Sequence, residues 1–451
     1  MAGARPRLEL VPGVAGAAPP DPRVVLAEFV ALGAGLALTM TLAAWRPGGA
    51  HALGALQSLA AAGFVFLALA LLRLDRYRGV PRVSLLVFAV ALAARAAFVV
   101  TPPLLSDDLY RYVWEGRVLA HGFDPWRLAP LDPALASLRD AAIFPRVNHP
   151  ELSTIYPPLA EAGFALVAAL SPTVWAMKLW VIAHDLALVA VLCAWCERKT
   201  GSAAPAIAYA WNPLVVLEYA GSAHQDPTAL LWLALALMWA DARPARSALA
   251  LAAGVLVKLA PLAALPFLLK RWPWRARVVA LVAIGVGLTA FALETRGAAS
   301  GARAYWSSWR NNEFAFLGLE RALGGFRAAR AAALAAGAAV AAWWWIRSDS
   351  AARSTRAVLR TLTALGPVLH PWYLGWTLVF EPVALSAPWL LLSFTVLLNY
   401  GVFAAPASPA THHPSLAVRA FEWGAPAALA LVLALRRAWR ARRPEEELDA
   451  R

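Results

Sequence analysis

The sequence predicts an all-α, polytopic transmembrane helix bundle, and three observations point there. The chain is 61% hydrophobic and only 15% charged, with a mean hydropathy of +0.58. A soluble domain carries roughly 25% charged residues. Apolar runs recur at the length needed to cross about 30 Å of hydrocarbon, for example Val25 to Trp45, Val83 to Val100 and Leu416 to Leu435. The net charge of +14 is concentrated in short Arg-rich linkers between those runs. In a soluble protein that charge would suggest nucleic acid. Here the excess of Lys and Arg in cytoplasmic loops explains it, and no nucleic-acid partner is expected.

The basic linkers set the expected topology. They are Arg73, Arg76, Arg78 and Arg82; Arg198 and Lys199; Arg243 and Arg246; Lys270, Arg271, Arg275 and Arg277; Arg347, Arg353 and Arg356; and the tail from Arg436 to Arg443. With all of these in the cytoplasm, the polar segments Thr101 to Ile155, Glu294 to Arg327 and Ala404 to Pro414 face the other side. Two stretches break the count: Pro157 to Leu170 with Lys178 to Trp195, and Ser247 to Leu269. Their prolines, Pro157, Pro158, Pro172, Pro261 and Pro266, predict short or re-entrant helices. Broken helices at membrane depth persist only where they are buried in protein or line a wet cavity, so both should flank a cavity on the outer side. The sequence predicts about 11 to 13 helices in three regions. Residues 1–24 read as a disordered cytoplasmic N-terminus, 25–435 as the bundle with outer loop 101–155, and 436–451 as a basic then acidic cytoplasmic tail. The Arg-rich part of that tail suits anionic inner-leaflet lipid. Cys193 and Cys196 lie in an apolar run and read as buried core residues rather than a redox or metal motif.

The polar constellation carries the chemistry. Ser106-Asp107-Asp108-Leu109-Tyr110-Arg111-Tyr112-Val113-Trp114 starts where a helix should leave the outer face. Tyr110, Trp114 and Arg117 share one helical face, which suits a helix lying in the interface. Asp107 and Asp108 could be functional carboxylates or simply cap that helix. Further polar residues fall on the same side: Tyr156-Pro157-Pro158, then His224-Gln225-Asp226, Lys258, Arg303 and Arg310 with Trp306 and Trp309, and His370-Pro371-Trp372-Tyr373. An ionisable group within membrane-spanning sequence is a functional candidate by default. The bland alternatives are a snorkelling Lys258, a hinge at His370, a solvated loop at His224 and Asp226, and plain interface anchoring by the aromatic rings. Asp185 reads as a buried partner for a nearby base.

At these residues the sequence resembles the GT-C superfamily of membrane glycosyltransferases, and most nearly bacterial polyprenyl-phosphomannose-dependent mannosyltransferase-like proteins. The resembling pieces run in order: Ser106 to Trp114, Tyr156 to Leu159, Asn212-Pro213-Leu214 with Glu218, His224 to Asp226, Lys258 to Pro261, and His370 to Tyr373. The resemblance implies a hexose, mannose first, moved from a polyprenyl-phosphate donor to an envelope glycan or glycolipid on the extracytoplasmic face of a bacterial inner membrane. It implies an Asp of the first outer loop as catalytic base, which falls on Asp107 with Asp108 second. Inversion at the anomeric carbon is then expected. Lys258, Arg310 and His370 are candidates to stabilise the leaving phosphate. His224, Asp226, Tyr156, Trp114, Trp372 and Tyr373 complete the expected donor- and substrate-binding set. Unlike some relatives, the chain shows no large soluble domain after the bundle, so acceptor recognition falls to loops or another protein. No Gly-rich phosphate loop is present, which argues against a nucleotide donor. No cofactor is expected; a divalent metal could sit on Asp107 and Asp108, but one acidic pair is thin evidence for it. The competing readings are a transporter or flippase for a lipid-linked sugar, disfavoured by the lack of an internal repeat, and a non-catalytic scaffold.

Overall fold

The computed structural model describes residues 21–46, 52–297, 299–404 and 414–441. Most of the expected N-terminal lead, most of the segment Ala404 to Pro414 and the end of the expected tail lie outside the described residues. Among the described residues the chain is helical, and the only strand-like pairing is an isolated bridge between Asn311 and Val368. The principal helices are α1 (Pro22–Ala44), α2 (Ala52–Leu72), α3 (Val83–Val99), α4 (Asp108–Ala120), α5 (Pro158–Leu170), α6 (Val174–Thr200), α7 (Asp226–Trp239), α8 (Pro244–Val257), α9 (Trp274–Glu294), α10 (Phe326–Arg347), α11 (Ala351–Leu365), α12 (Ala387–Thr395) and α13 (Leu416–Ala441). Six of these are long and apolar enough to cross a membrane: α1, α2, α6, α9, α10 and α13. Five shorter apolar helices accompany them. The protein is a polytopic membrane helix bundle.

Local sequence starts and stops the helices in ordinary ways. Asp21 caps α1, its side chain accepting from the Arg23 amide, with Pro22 at the first helical position. Thr173 caps α6, and Gly201 ends it in the left-handed region at φ 79°.

Buried charge is used to tie helices together. Arg95 of α3 meets Asp185 of α6 at 2.6 Å, both side chains fully buried, and Tyr209 donates to the same carboxylate at 2.9 Å. Asp185 is thus the structural partner that the sequence suggested. Lys178 of α6 donates to the carbonyls of Phe98 and Thr101 at 2.6 and 2.7 Å. It thereby satisfies orphan acceptors where α3 ends and the Asp-bearing loop begins. Cys193 and Cys196 are free and buried.

Of the two irregular stretches, the first is the short α5 followed by the long α6, against the expectation of short helices throughout, and the second is a pair of short helices. The thirteen residues of α5 rise about 20 Å, less than a full crossing. α8 breaks at Lys258, whose backbone is extended, and the chain returns through a 3-10 turn (Ala260–Ala264) and the helix Leu265–Arg271. Arg271 meets Asp241 at 2.6 Å, so both ends of this excursion lie at the same end of the bundle. Lys270 reaches Asp349 at 3.2 Å and Arg356 donates to the Ala384 carbonyl. These contacts join several basic linkers at that end. At the other end, loops 101–155 and 295–311 pack together: the Ser153 amide donates to the Ala299 carbonyl at 2.9 Å.

One sequence expectation fails. Helix α4 does not lie on an interface with Tyr110, Trp114 and Arg117 as its outward face. Arg111, Tyr112, Val113, Trp114, Glu115 and Gly116 are all buried, because α5 packs on one side and the 121–157 loop wraps the other. The α4–α5 contact depends on Gly116, where a Cβ would sit 2.3 Å from the Phe164 carbonyl oxygen. Gly116→Ala should therefore destabilise the protein by about 1–3 kcal/mol through overpacking. Gly54→Ala, which meets nothing within 4 Å, should leave thermal unfolding in detergent unchanged or slightly raised. Equal melting of the two variants would contradict this packing.

Candidate active site

Asp107 occupies the N-cap position of α4, yet its side chain makes no capping bond. Its carboxylate instead accepts from the Asn148 side-chain amide at 2.7 Å, and Asp108 accepts from the same nitrogen at 2.8 Å. Helix capping therefore does not account for the acidic pair. The partner comes from forty residues away, and Arg111 puts it there. Arg111 lies one turn after Asp107. It donates to the carbonyls of Asn148, His149 and Leu152 at 2.8, 2.9 and 2.6 Å, while Glu115 holds its Nε at 2.7 Å. A charge-assisted fork thus fixes the returning loop against the acidic turn.

The two adjacent carboxylates are pushed apart electrostatically. Burial raises the Asp107 pKa above its ordinary 3.8; the Asn148 hydrogen bond opposes this and the Asp108 charge adds to it. Burial also pushes Asp108 upward, but His224, Asn148 and His370 outweigh it and hold that carboxyl at about 2. Neighbouring acids with separated affinities can take separate roles, one as a proton acceptor and one as a fixed charge.

Both carboxylates line a cavity of about 980 Å³. Across it stand Lys258 at the break after α8, and His370, Trp372 and Tyr373 at the break after α11. Tyr156, Tyr305, Trp309 and Arg310 also line it. The His370 and Trp372 rings stack with centroids 4.3 Å apart. The Lys258 ammonium sits 4.8 Å over the Tyr373 ring, and the Tyr373 and Tyr305 hydroxyls are 2.6 Å apart. Hydrogen-bond donors and a cation therefore face two carboxylates across one polar hollow inside an apolar bundle.

Eight of the sequence candidates line this cavity: Asp107, Asp108, Tyr156, Lys258, Arg310, His370, Trp372 and Tyr373. Three do not. His224 and Asp226 are 0% and 1% exposed, which rules out a solvated loop and also removes them from direct contact with a cavity ligand. Asp226 lies behind the wall, where it accepts from Lys258 at 2.7 Å and from the Trp376 indole at 2.7 Å. Lys258 is thus aimed by an ion pair and does not snorkel. Trp114 is buried against Phe144 at 5.1 Å and does not line the cavity. The helical face that joins Trp114 to Tyr110 points into the folded loop. Arg310 lines the cavity but is held by both oxygens of Glu320 at 2.6 and 2.5 Å, so its charge is already balanced. Sequence reasoning missed Asn148, Arg111 and Tyr305, because loop closure over forty residues leaves no local pattern. Among the described residues no group of three or more His, Cys, Asp or Glu side chains is arranged to hold a metal ion.

The Lys258–Asp226 pair gives a direct test of this wall. Asp226→Leu should cost about 3–5 kcal/mol in thermal unfolding, because it strands a largely buried ammonium. Adding Lys258→Met should recover much of that loss. A double variant no more stable than Asp226→Leu alone would show that the pair does not aim Lys258.

The family model described as alpha-(1->6)-mannopyranosyltransferase, N-terminal domain, matches residues 24–274, more than half of the 451. No curated protein and no solved structure matches the chain. The matched stretch holds Asp107, Asp108, Asn148 and Lys258, so one side of the cavity and the cation facing it fall inside the shared region. This membrane helix bundle belongs to the alpha-(1->6)-mannopyranosyltransferase family.

Proposed function

We propose that the protein transfers mannose from a polyprenyl-phosphate carrier to an envelope glycan or glycolipid at the extracytoplasmic face of a bacterial inner membrane, with inversion at the anomeric carbon. The observation that carries this reading is the pair Asp107 and Asp108 facing Lys258 and His370 across a single membrane-bundle cavity, in a mannosyltransferase family. A lipid-borne phosphate needs a site that its tail can reach from the bilayer, and a cavity inside a helix bundle meets that need. The basic linkers gathered at one end, with the cavity walled by the loops of the other, support an extracytoplasmic site.

The acceptor hydroxyl attacks the anomeric carbon from the face opposite the phosphate. The new carbon–oxygen bond forms as the bond from carbon to phosphate oxygen breaks, and the hydroxyl proton passes to Asp107. Asp107 suits this step because its affinity for a proton is raised. Asp108 stays ionised beside it and favours the developing positive charge on the sugar ring. Lys258 and His370 receive the departing phosphate, with the hydroxyl pair of Tyr373 and Tyr305 as further donors. The sequence candidate Arg310, on the cavity wall and paired with Glu320 as Lys258 is with Asp226, is a further donor to that phosphate. Trp372 offers a flat ring for the sugar.

Purified protein given radiolabelled polyprenyl-phosphate mannose and a synthetic α-mannoside should yield labelled product. Asp107→Asn should lower kcat by roughly 10²- to 10⁴-fold. In the wild type, activity should fall on the acid side with a limb above the ordinary carboxylate value of 3.8, since Asp107 must be unprotonated and its pKa is raised. Movement of labelled lipid across vesicles without label transfer would replace this reading with a flippase. Full activity in both Asp107→Asn and Asp108→Asn would remove the carboxylates from the chemistry.

A further inference from the structure

His224 is the ionisable group of the site that the mechanism above leaves unused. It is fully buried, and neither ring nitrogen has a hydrogen-bond partner. Both nitrogens nevertheless face carboxylates: Nδ1 is 3.5 Å from Asp108 and Nε2 is 3.5 Å from Glu218. The ring plane is fixed by stacking on Trp372 at 3.6 Å and 14°. Glu218 is itself fully buried and accepts from the Tyr400 hydroxyl at 2.7 Å, and Tyr400 returns to the cavity wall.

The backbone here departs from regular geometry twice within eight residues. Val216–Gly221 is a π-helical turn, a rare form found frequently at functional sites. Ala223, immediately before His224, is held at φ 61°, a conformation that residues with a Cβ rarely adopt. The His224 amide closes the turn by donating to the Glu218 carbonyl at 3.0 Å. The chain thus accepts a strained path that sets one imidazole between two acids.

We infer that His224 is a positioning residue that carries its charge between Asp108 and Glu218, keeping Asp108 ionised so that Asp107 alone takes the acceptor proton. The inference rests on the mannosyl-transfer reading above. An imidazolium donates from both nitrogens, so it gives both facing carboxylates an attractive partner. A neutral ring would turn a lone pair toward one of them. Lys258 cannot serve Asp108 in this way, because Asp226 holds it. The other groups around the ring are His370, which reaches it through Trp372, and Tyr400 behind Glu218. His224 does not reach the cavity; it meets the reaction through Asp108 and through the Trp372 ring stacked on it, and only the first route moves the acid limb.

The test measures pH profiles of kcat and KM for the full-length protein in lipid nanodiscs, with polyprenyl-phosphate mannose as donor and octyl α-mannoside as acceptor. His224→Gln removes the charge and should lower kcat roughly tenfold or more. Both KM values should stay within about twofold, since the ring touches neither substrate. The acid limb should move to higher pH by about one unit, because an opposite charge that lowered the carboxylate affinities is gone. Glu218→Gln should move the limb the same way, since the acid facing Nε2 of His224 is then gone, and the double variant should add little. Tyr400→Phe, which leaves both charges in place, should move it less. If His224→Gln fails to fold, Glu218→Gln and Tyr400→Phe carry the test. A lowered kcat with an unmoved acid limb in these variants, or an unchanged kcat, overturns the role of His224. Absence of transfer by the wild type would instead overturn the underlying functional reading.

Discussion

A charge placed inside a membrane bundle must find a partner, and that constraint organises this protein. Leaving an ionised side chain unpaired at membrane depth costs several kcal/mol, so each such group has to be answered by another helix or by backbone. Arg95 is answered by Asp185, Lys178 by the end of α3, Lys258 by Asp226 and Arg111 by Glu115 with three carbonyls. Each answer links segments distant in sequence. The first two fasten α3 to α6 and fix where the Asp-bearing loop leaves the bundle. The last two set opposite walls of the cavity.

The same constraint separates structural charges from those available for chemistry. Asp226 is spent on its partners behind the cavity wall. Asp107 is different: it lines the cavity, takes one amide hydrogen bond and does not cap its helix. A carboxylate in that position, with its proton affinity raised by burial, is placed to accept a proton. Asp108, one residue on, is tuned the other way by His224. Adjacent residues of the same type thus acquire opposite shifts in proton affinity from what lies around them.

Much of this was legible in the sequence. The fold class follows from apolar run lengths and from the position of Arg clusters, because lipid forces both. The breaks at Lys258 and His370 were visible because prolines follow polar residues within apolar runs. Period and composition do not encode how a loop closes. Trp114 was misread because its helical face looked amphipathic, whereas the 121–157 loop folds over it. Asn148 carried no signal, since its role comes from Arg111 grasping carbonyls, and any residue can supply a carbonyl. The depth of His224 was hidden for a similar reason: a His-Gln-Asp triplet after a helix can line a cavity or face solvent, and only the fold stacks Trp372 on it.

The central claim is that the lipid phosphate sits between Lys258 and His370 with the sugar turned toward Asp107. Its most direct test is a cryo-EM structure with a non-transferable phosphonate analogue of polyprenyl-phosphate mannose. The phosphonate should lie within hydrogen-bond reach of Lys258 and His370, with the anomeric carbon on the line from the phosphonate toward Asp107. A phosphonate bound instead at the opposite end of the bundle, in the smaller hollow beside Lys270 and Arg271, would contradict it.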